Sequence, residues 1–205
     1  MFKFNKSLGQ VSRLLLVLAI VVFVAVIITF LIMKMAEKPS SPGKPTTPST
    51  PLPVFEQTLE NIRFVYESAL DKGDTLKASE VTDIKSTNAK DLKISNPGAK
   101  FIKVTIGAQN IGLVNTIKGA WNIENIIDSK GRNFVPLGSM TNPWLPKPNL
   151  CGELLKPAFD PTPCTKIYEV SKESTGFKIR IEAGKNNKPI SSGSNNSFLL
   201  DLIVK

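Results

Sequence analysis

The stretch FIKVTIGA, residues 101–108, decides the fold. Its apolar side chains occupy alternate positions, separated by Lys103 and Thr105: they are Ile102, Val104, Ile106 and Ala108. A period of two residues puts one set of side chains on each face of an extended chain, which is typical of an antiparallel strand with one buried face. We therefore predict a half-buried strand that ends at Asn110-Ile111-Gly112.

Similar patterns occur along the chain on both sides of this stretch. We predict further strands over residues 61–68, 117–127, 165–170, 175–183 and 198–204, and a return strand that starts at Phe134 and Val135. Residues 128–131, Asp-Ser-Lys-Gly, indicate a hairpin turn, because glycine readily takes a positive φ. About seven or eight short strands, with no convincing helix after residue 53, predict an all-β fold, an antiparallel β-sandwich.

Two of these strands allow their buried faces to be assigned. In residues 175–183 the inward set is Phe177, Ile179, Ile181 and Ala183. In residues 117–127 we place Trp121, Ile123 and Ile127 on the buried face. The intervening residues 71–99 are polar and weakly patterned, and residues 136–163 read as a long proline-rich loop.

A different kind of segment precedes the strands. Residues 14–33, LLLVLAIVVFVAVIITFLIM, are uncharged, and as a helix they would span roughly 30 Å, the thickness of a bilayer's hydrocarbon core. We predict a single transmembrane helix, preceded by a cytoplasmic basic tail at residues 1–13. The alternative is a cleaved signal peptide, which has a shorter apolar core and a small-residue cleavage site, whereas Met33-Lys34-Met35 lies here.

Residues 34–53 are rich in Pro, Ser and Thr. Five prolines recur at every third position, which matches the three residues per turn of polyproline II: they are Pro39, Pro42, Pro45, Pro48 and Pro51. We interpret the segment as a semi-rigid stalk, of which residues 38–53 would extend about 50 Å. A ligand for an SH3- or WW-type domain is the alternative.

The two cysteines, Cys151 and Cys164, decide the predicted orientation. Three basic residues lie close to each side of the apolar segment, so the positive-inside rule gives a tie. A free cytosolic pair is possible, but two cysteines in one loop of an anchored domain favour a disulfide, which would contribute about 3 kcal/mol. An oxidising compartment then predicts a cytoplasmic N-terminus and an extracytoplasmic domain at residues 54–205, in a single-pass protein of the cell membrane.

Composition argues against several functions. The net charge is +9, but the charges of the domain are interspersed with no basic run, so we predict no nucleic-acid partner. The chain has no histidine, which removes most Ser/His, Cys/His and His-ligated metal chemistry. We predict no enzyme activity, no cofactor and no metal. A Ser/Lys hydrolase remains a distant alternative, and the acid pairs Asp71/Asp74 and Glu80/Asp83 read as solvated turn acids rather than calcium ligands.

The chain resembles a family of bacterial extracytoplasmic proteins of unknown function, described as telokin-like or similar to the mycobacterial immunoprotective extracellular protein. Three stretches carry the resemblance: PGAKFIKVTIGAQNIG at 97–112, IIDSKGRNFVP at 126–136 and LLKPAFDPTPCTKIYEVSKESTGFKIRI at 154–181. Ala158 stands where the family tends to have Gly. The resemblance implies an immunoglobulin-like sandwich behind an anchor and a low-complexity linker, and it implies no catalytic residues.

One loop is a candidate for recognition. Pro143, Trp144 and Leu145 lie in the proline-rich loop near the cysteines, and loops on a rigid sandwich commonly carry binding residues. The alternative is that Trp144 folds back to cover one end of the sandwich. Trp121 lies on an apolar strand face and belongs to the core.

These features predict a non-enzymatic, membrane-anchored binding or adhesion module displayed outside the cytoplasm. The expected partners are the membrane and an extracytoplasmic or envelope protein. The alternative is a structural or accessory subunit of a cell-envelope complex that assembles through the anchor. Only Ala25-x-x-x-Thr29 offers a small-residue pair for helix packing.

Overall fold

The computed structural model describes residues 52–82, 90–193 and 195–205. The predicted tail, the transmembrane helix and nearly all of the stalk lie outside the described residues. In the part that is described, no helix has the length and apolar character needed to cross a bilayer. Leu52–Lys205 form one compact unit.

The described residues of this unit form ten strands and four short 3-10 turns. The strands are β1 Glu56–Leu59, β2 Ile62–Gly73, β3 Thr75–Leu76, β4 Leu92–Lys93, β5 Ala99–Asn110, β6 Trp121–Ile127, β7 Asn133–Phe134, β8 Thr162–Ser171, β9 Lys178–Gly184 and β10 Asn195–Asp201. The 3-10 turns are Ala78–Glu80, Ser139–Trp144, Lys185–Asn187 and Ile190–Ser192.

Two four-stranded sheets form the body of the fold. The first has the order β1-β2-β5-β8 and the second the order β10-β9-β6-β7, while β3 and β4 form a separate ribbon. The named strands pair antiparallel throughout. The main core contains buried side chains from both sheets, among them Phe64 from the first and Trp121 from the second, whose ring centroids lie 6.1 Å apart. The predicted β-sandwich is confirmed.

The strand around residues 101–108 is the centre of the first sheet. It pairs with β2 on one side and β8 on the other. Its predicted inward residues are all buried: Ile102, Val104, Ile106 and Ala108. The inward set predicted for residues 175–183 is buried as well, although β9 begins only at Lys178. The hairpin turn is also confirmed, since Gly131 has a φ of 76° and donates its backbone N–H to the Asp128 carbonyl at 2.9 Å.

The prediction from the sequence pattern was wrong for one residue on the buried face of β6. The pairing of β6 with β9 shifts between Ile123 and Ile126, which is a bulge. An extra residue in one strand reverses which side chains face inward. Ile126 is therefore in the core, and Ile127, which was expected there, is only partly buried.

A second apolar cluster lies on the outer face of the first sheet. Phe101 and Ile167 are buried there although strand alternation points them away from the main core. The β3-β4 ribbon supplies Leu76, and the turn Ser139–Trp144 supplies Trp144. Segments that read as polar or as loop in the sequence therefore cover a sheet face.

Candidate binding surface at one end of the sandwich

The predicted disulfide between Cys151 and Cys164 is present, with the Cα atoms 4.5 Å apart. Cys164 lies on β8 and is buried in the main core, and Cys151 lies in the loop before it and packs against that core. The adjacent Asn149 completes the attachment of the loop: its amide nitrogen donates to the Thr165 carbonyl at 2.8 Å, and its amide oxygen accepts from the Thr165 N–H at 3.1 Å. The disulfide and the Asn149 hydrogen bonds together fix the proline-rich loop to β8.

The Trp144 side chain folds back on the domain, but it covers the outer face of the first sheet rather than one end of the sandwich. Its side chain is only 5% exposed, and its indole N–H donates to the Lys77 carbonyl at 2.7 Å. Leu145 is buried beside it, and Pro143 is half-buried, with its carbonyl accepting the Thr82 N–H at 3.0 Å. The segment proposed as a recognition loop thus packs over the first sheet, and the indole is not presented to a partner.

A cavity of about 190 Å³ lies beside Trp144. Lys103 lines it, and burial lowers the pKa of this amine, with the positive charge of Lys72 adding to the effect and Glu80 opposing it. Lys103 Nζ donates to the Trp144 carbonyl at 2.8 Å, and Lys72 pairs with Glu80 at 2.8 Å. Each of these charged groups already has a partner within the domain. The cavity therefore offers a ligand few charged groups with which to pair.

The acid pairs are engaged within the fold where they are described. Asp71 accepts from Lys100 Nζ and from the Gly73 N–H, at 2.8 and 2.9 Å, and Asp74 accepts from the Thr75 hydroxyl at 2.9 Å. Asp83 lies outside the described residues. Across the described ranges, no group of three or more His, Cys, Asp or Glu side chains is placed to hold a metal ion.

Six exposed apolar side chains lie at one end of the sandwich, on two loops that follow β5 and precede β8. We call this the end surface. The first end loop is residues 111–117 and the second is residues 152–159. Leu113 is 96% exposed and Val114 is 70% exposed. The other exposed apolar members of the end surface are Ile111, Ile117, Leu154 and Phe159.

Asn110, at the end of β5, joins the two end loops. Its side chain is almost fully buried, at 3% exposure. The amide nitrogen donates to the Val114 carbonyl at 2.7 Å and to the Leu155 carbonyl at 3.0 Å, and the amide oxygen accepts the Gly112 N–H at 2.9 Å. A single side chain therefore fixes the conformation of both loops.

The second end loop has further attachments. The Trp121 indole donates to the Glu153 carbonyl at 2.8 Å. Thr116 and Leu155 form a reciprocal pair: the Thr116 N–H donates to the Leu155 carbonyl at 3.0 Å, and its hydroxyl accepts the Leu155 N–H at 2.8 Å. The side chain of Leu155 enters the main core. The exposed apolar residues thus stand on a preorganised base, which lowers the entropic cost of binding.

The chain enters the domain away from the end surface, beside the middle of β2, where the Phe55 carbonyl accepts the Tyr66 N–H at 2.9 Å. Val54 exchanges hydrogen bonds with Asp201: its N–H donates to the carboxylate at 2.7 Å, and its carbonyl accepts the Asp201 N–H at 2.8 Å. From there β1 runs along the sheet to the turn at Glu60 and Asn61, and the Asn61 carbonyl accepts the Ile111 N–H at 2.9 Å. Twelve-residue strands such as β5 make the domain roughly 40 Å long in this direction.

Sequence reasoning missed the end surface. Residues 110–112 were read only as the end of a strand, and Leu113 and Val114 were assigned to no element. The signal present in the sequence is an apolar pair directly after a strand-ending Asn-x-Gly, outside any alternating pattern. Side chains in such a pair do not belong to a strand face, so they either pack into the core or stay exposed.

No protein-family model matches this sequence, and no curated protein shows significant similarity to it. Among solved structures, the chain is similar to a conserved hypothetical protein from Bacillus anthracis, with a TM-score of 0.47 and 12% identity over 72% of this chain and 92% of that one. It is also similar to an uncharacterised β-sandwich protein from Clostridium difficile 630, with a TM-score of 0.39 and 6% identity over 74% and 92%. A third similar structure is the YjhA protein from Bacillus subtilis, with a TM-score of 0.34 and 9% identity over 72% and 96%. No function is taken from these likenesses.

Proposed function

We propose that this chain is a non-enzymatic binding module, anchored in the cell membrane by residues 14–33 and carried on the stalk at residues 34–53. Its sandwich, which we assign to the immunoglobulin-like, telokin-like type, lies outside the cytoplasm and binds through the end surface. The observation that carries this proposal is the exposed apolar end surface, whose two loops are held in place by the buried hydrogen bonds of Asn110 and Thr116.

Three further features support the proposal. The uncharged segment at residues 14–33 is long enough to span a bilayer. The Cys151–Cys164 disulfide is the kind of bond that persists in an oxidising compartment. Contiguous apolar side chains on a surface are costly in water, and they commonly mark sites of interaction.

Site-specific photo-crosslinking in intact cells tests the binding role. A photoreactive amino acid is placed at Leu113 in the full chain, and a matched variant carries it at Val135, which is 62% exposed and is not part of the end surface. We expect a discrete adduct from position 113 and little from position 135. Equal yields at the two positions, or no adduct at either, would contradict binding through the end surface.

The anchor and the location are tested separately in the same cells. We expect the full chain to stay in the membrane pellet after alkaline extraction, and protease added outside the cytoplasmic membrane to digest the domain. Recovery of the chain in the soluble fraction would contradict the predicted membrane anchor. A domain that stays in the membrane pellet but is protected from the protease would show that the predicted orientation is wrong. The accessory-subunit alternative predicts instead that the isolated anchor and stalk co-purify with partners that the domain alone does not capture.

A further inference from the structure

Lysines border the end surface. Lys156 belongs to the second end loop, and its Nζ lies 5.6 Å from the centroid of the Phe159 ring. Lys185 and Lys188 belong to an adjacent loop, which is tied to the first end loop through Asn187: its amide nitrogen donates to the Asn115 carbonyl, and its amide oxygen accepts the Ile117 N–H, both at 3.0 Å. These three lysines are exposed, so the apolar residues are flanked by accessible positive charge.

The acidic groups near these loops are mostly engaged. Glu60 accepts the Asn186 N–H at 3.1 Å and the Asn196 side-chain amide at 2.6 Å. Glu153 pairs with Lys118 at 2.8 Å. Asp160 is exposed at the edge of the second end loop. The end surface therefore carries both apolar side chains and ammonium groups, with Asp160 as an exposed acid at its edge.

The shape and size of the end surface favour a lipid surface over a folded protein. Leu113 stands clear of the rest of the domain, and the apolar members are six side chains on two loops. A stable protein–protein interface takes about 20–30 residues a side. A bilayer needs no complementary pocket, because apolar side chains enter the headgroup and acyl boundary by roughly 5–10 Å while nearby lysines attract anionic lipids.

We propose that the end surface docks on a bilayer that carries anionic lipids. Leu113 and Val114 enter the interface, and Lys156, Lys185 and Lys188 meet the phosphate groups. This inference rests on the proposed function, because it uses the end surface as the binding site.

The test uses the full chain reconstituted into nanodiscs of phosphatidylcholine. Vesicles of equal parts phosphatidylglycerol and phosphatidylcholine are added, and the nanodiscs that float with the vesicles are measured. We expect flotation of the wild type and about a tenfold loss for Leu113→Ser with Val114→Ser, since two aliphatic side chains then no longer enter the bilayer. The matched control, Val135→Ser with Met140→Ser, removes two apolar side chains elsewhere that are each 62% exposed and should float like the wild type.

Charge is tested with a second variant and a second lipid. Lys185→Glu with Lys188→Glu should reduce flotation with the anionic vesicles, as should added salt, because both weaken attraction to the headgroups. Vesicles of phosphatidylcholine alone should recruit much less of the wild type.

Several outcomes would overturn the lipid assignment. Equal flotation of the wild type and the Leu113→Ser, Val114→Ser variant would exclude the end surface as the lipid contact. Association of nanodiscs with one another through Leu113 and Val114, without vesicle recruitment, would make the partner a second copy. Photo-crosslinking at Leu113 to a protein, with no flotation, would overturn lipid docking while leaving the binding proposal intact.

Discussion

Asn110 is the residue on which the geometry of the end surface most depends. It is a polar side chain in a sandwich core, and such a group is tolerated only when its hydrogen bonds are satisfied. Its three side-chain hydrogen bonds reach Gly112, Val114 and Leu155. The energetic cost of burying the amide is thereby offset, and the two loops acquire a fixed shape.

Replacing Asn110 with Ala should destabilise the domain and loosen the end loops. The Leu155 carbonyl would keep only the Thr116 N–H, and the Val114 carbonyl and the Gly112 N–H would lose Asn110 as a partner, at a cost of about 0.5–1.5 kcal/mol for each hydrogen bond lost. We expect the free energy of unfolding, measured by denaturant titration, to fall by about 2–3 kcal/mol. Asn142→Ala, at an exposed position, is the control and should change it little. Equal effects of the two variants would mean that Asn110 does not organise the loops.

Asp128 holds the β6-β7 hairpin from within. Burial alone would raise the pKa of its carboxyl, but hydrogen bonds from the Ser174 hydroxyl, the Arg132 guanidinium and the backbone amides of Arg132 and Lys130 outweigh it and lower the pKa to about 2. The Arg132 Nε lies 2.7 Å from the carboxylate, and the Ser174 hydroxyl lies 2.8 Å from it. The charged form is the one that the folded hairpin requires.

This network predicts a specific loss of stability in acid. The folded pKa of Asp128 is below its ordinary value of 3.8, so its charge stabilises the fold above that pH, and the contribution disappears as the pH falls toward 2. We expect Asp128→Asn to be less stable than the wild type at neutral pH, with the difference narrowing between about pH 4 and pH 2. Thermal unfolding at a series of pH values measures this. Asp160→Asn replaces an exposed acid outside the network, and it should have the same stability as the wild type at each pH. A difference between Asp128→Asn and the wild type that does not change with pH would show that the charge of Asp128 does not stabilise the fold.

The turn Ser139–Trp144 shows how a segment without strand character can complete a core. Its Trp144 side chain covers Phe101 and Ile167 on the outer face of the first sheet, together with Leu76 of β3. The indole N–H is satisfied by the Lys77 carbonyl, so the aromatic group is buried without an unpaired donor. The second cluster is therefore a structural element rather than an open groove.

Trp144→Ala should destabilise the domain, because removing a buried aromatic side chain leaves a cavity. We expect a loss of about 3 kcal/mol or more in the free energy of unfolding, measured by denaturant titration. Met140→Ala, in the same turn but at a residue 62% exposed, should change it by less than about 0.5 kcal/mol. A folded Trp144→Ala variant with wild-type stability would show that the indole is not part of the core.

The buried residues of a strand could be predicted where one face of the strand packs on the main core and the other face is exposed. In β5 and β9 the alternation of side chains is unambiguous, and the inward residues were identified correctly. The same reasoning failed at Phe101 and Ile167, because alternation assigns them to the outer face and cannot show that another segment covers that face. It also failed at Ile126, since a bulge leaves no mark in the pattern of apolar residues.

The candidate site was harder to predict than the fold. The disulfide followed from two cysteines and a compartment argument, and it is present. Trp144 was attractive as a recognition residue because of its type, yet burial depends on what lies above the sheet. Leu113 and Val114 became candidates only once their exposure was known, because loop sequence alone does not show whether an apolar side chain finds a packing partner.

The described domain separates the point where the chain enters from the end surface. Val54 enters beside β10, bound to Asp201, and the end surface lies at the Ile62 end of β2 and the Asn110 end of β5. The disulfide, the Trp121 indole and Asn110 all fix the base of the same surface. An apolar surface held in place by these contacts is the feature from which we infer a displayed binding module.

Labelling with a membrane-impermeant maleimide, with and without an impermeant reductant, tests that inference most directly, because it reports the compartment and the redox state of Cys151 and Cys164 together. We predict that the domain reacts without permeabilisation of the cytoplasmic membrane, and only after reduction. Labelling that requires permeabilisation but no reductant would place a reduced domain in the cytoplasm, and it would contradict the displayed module.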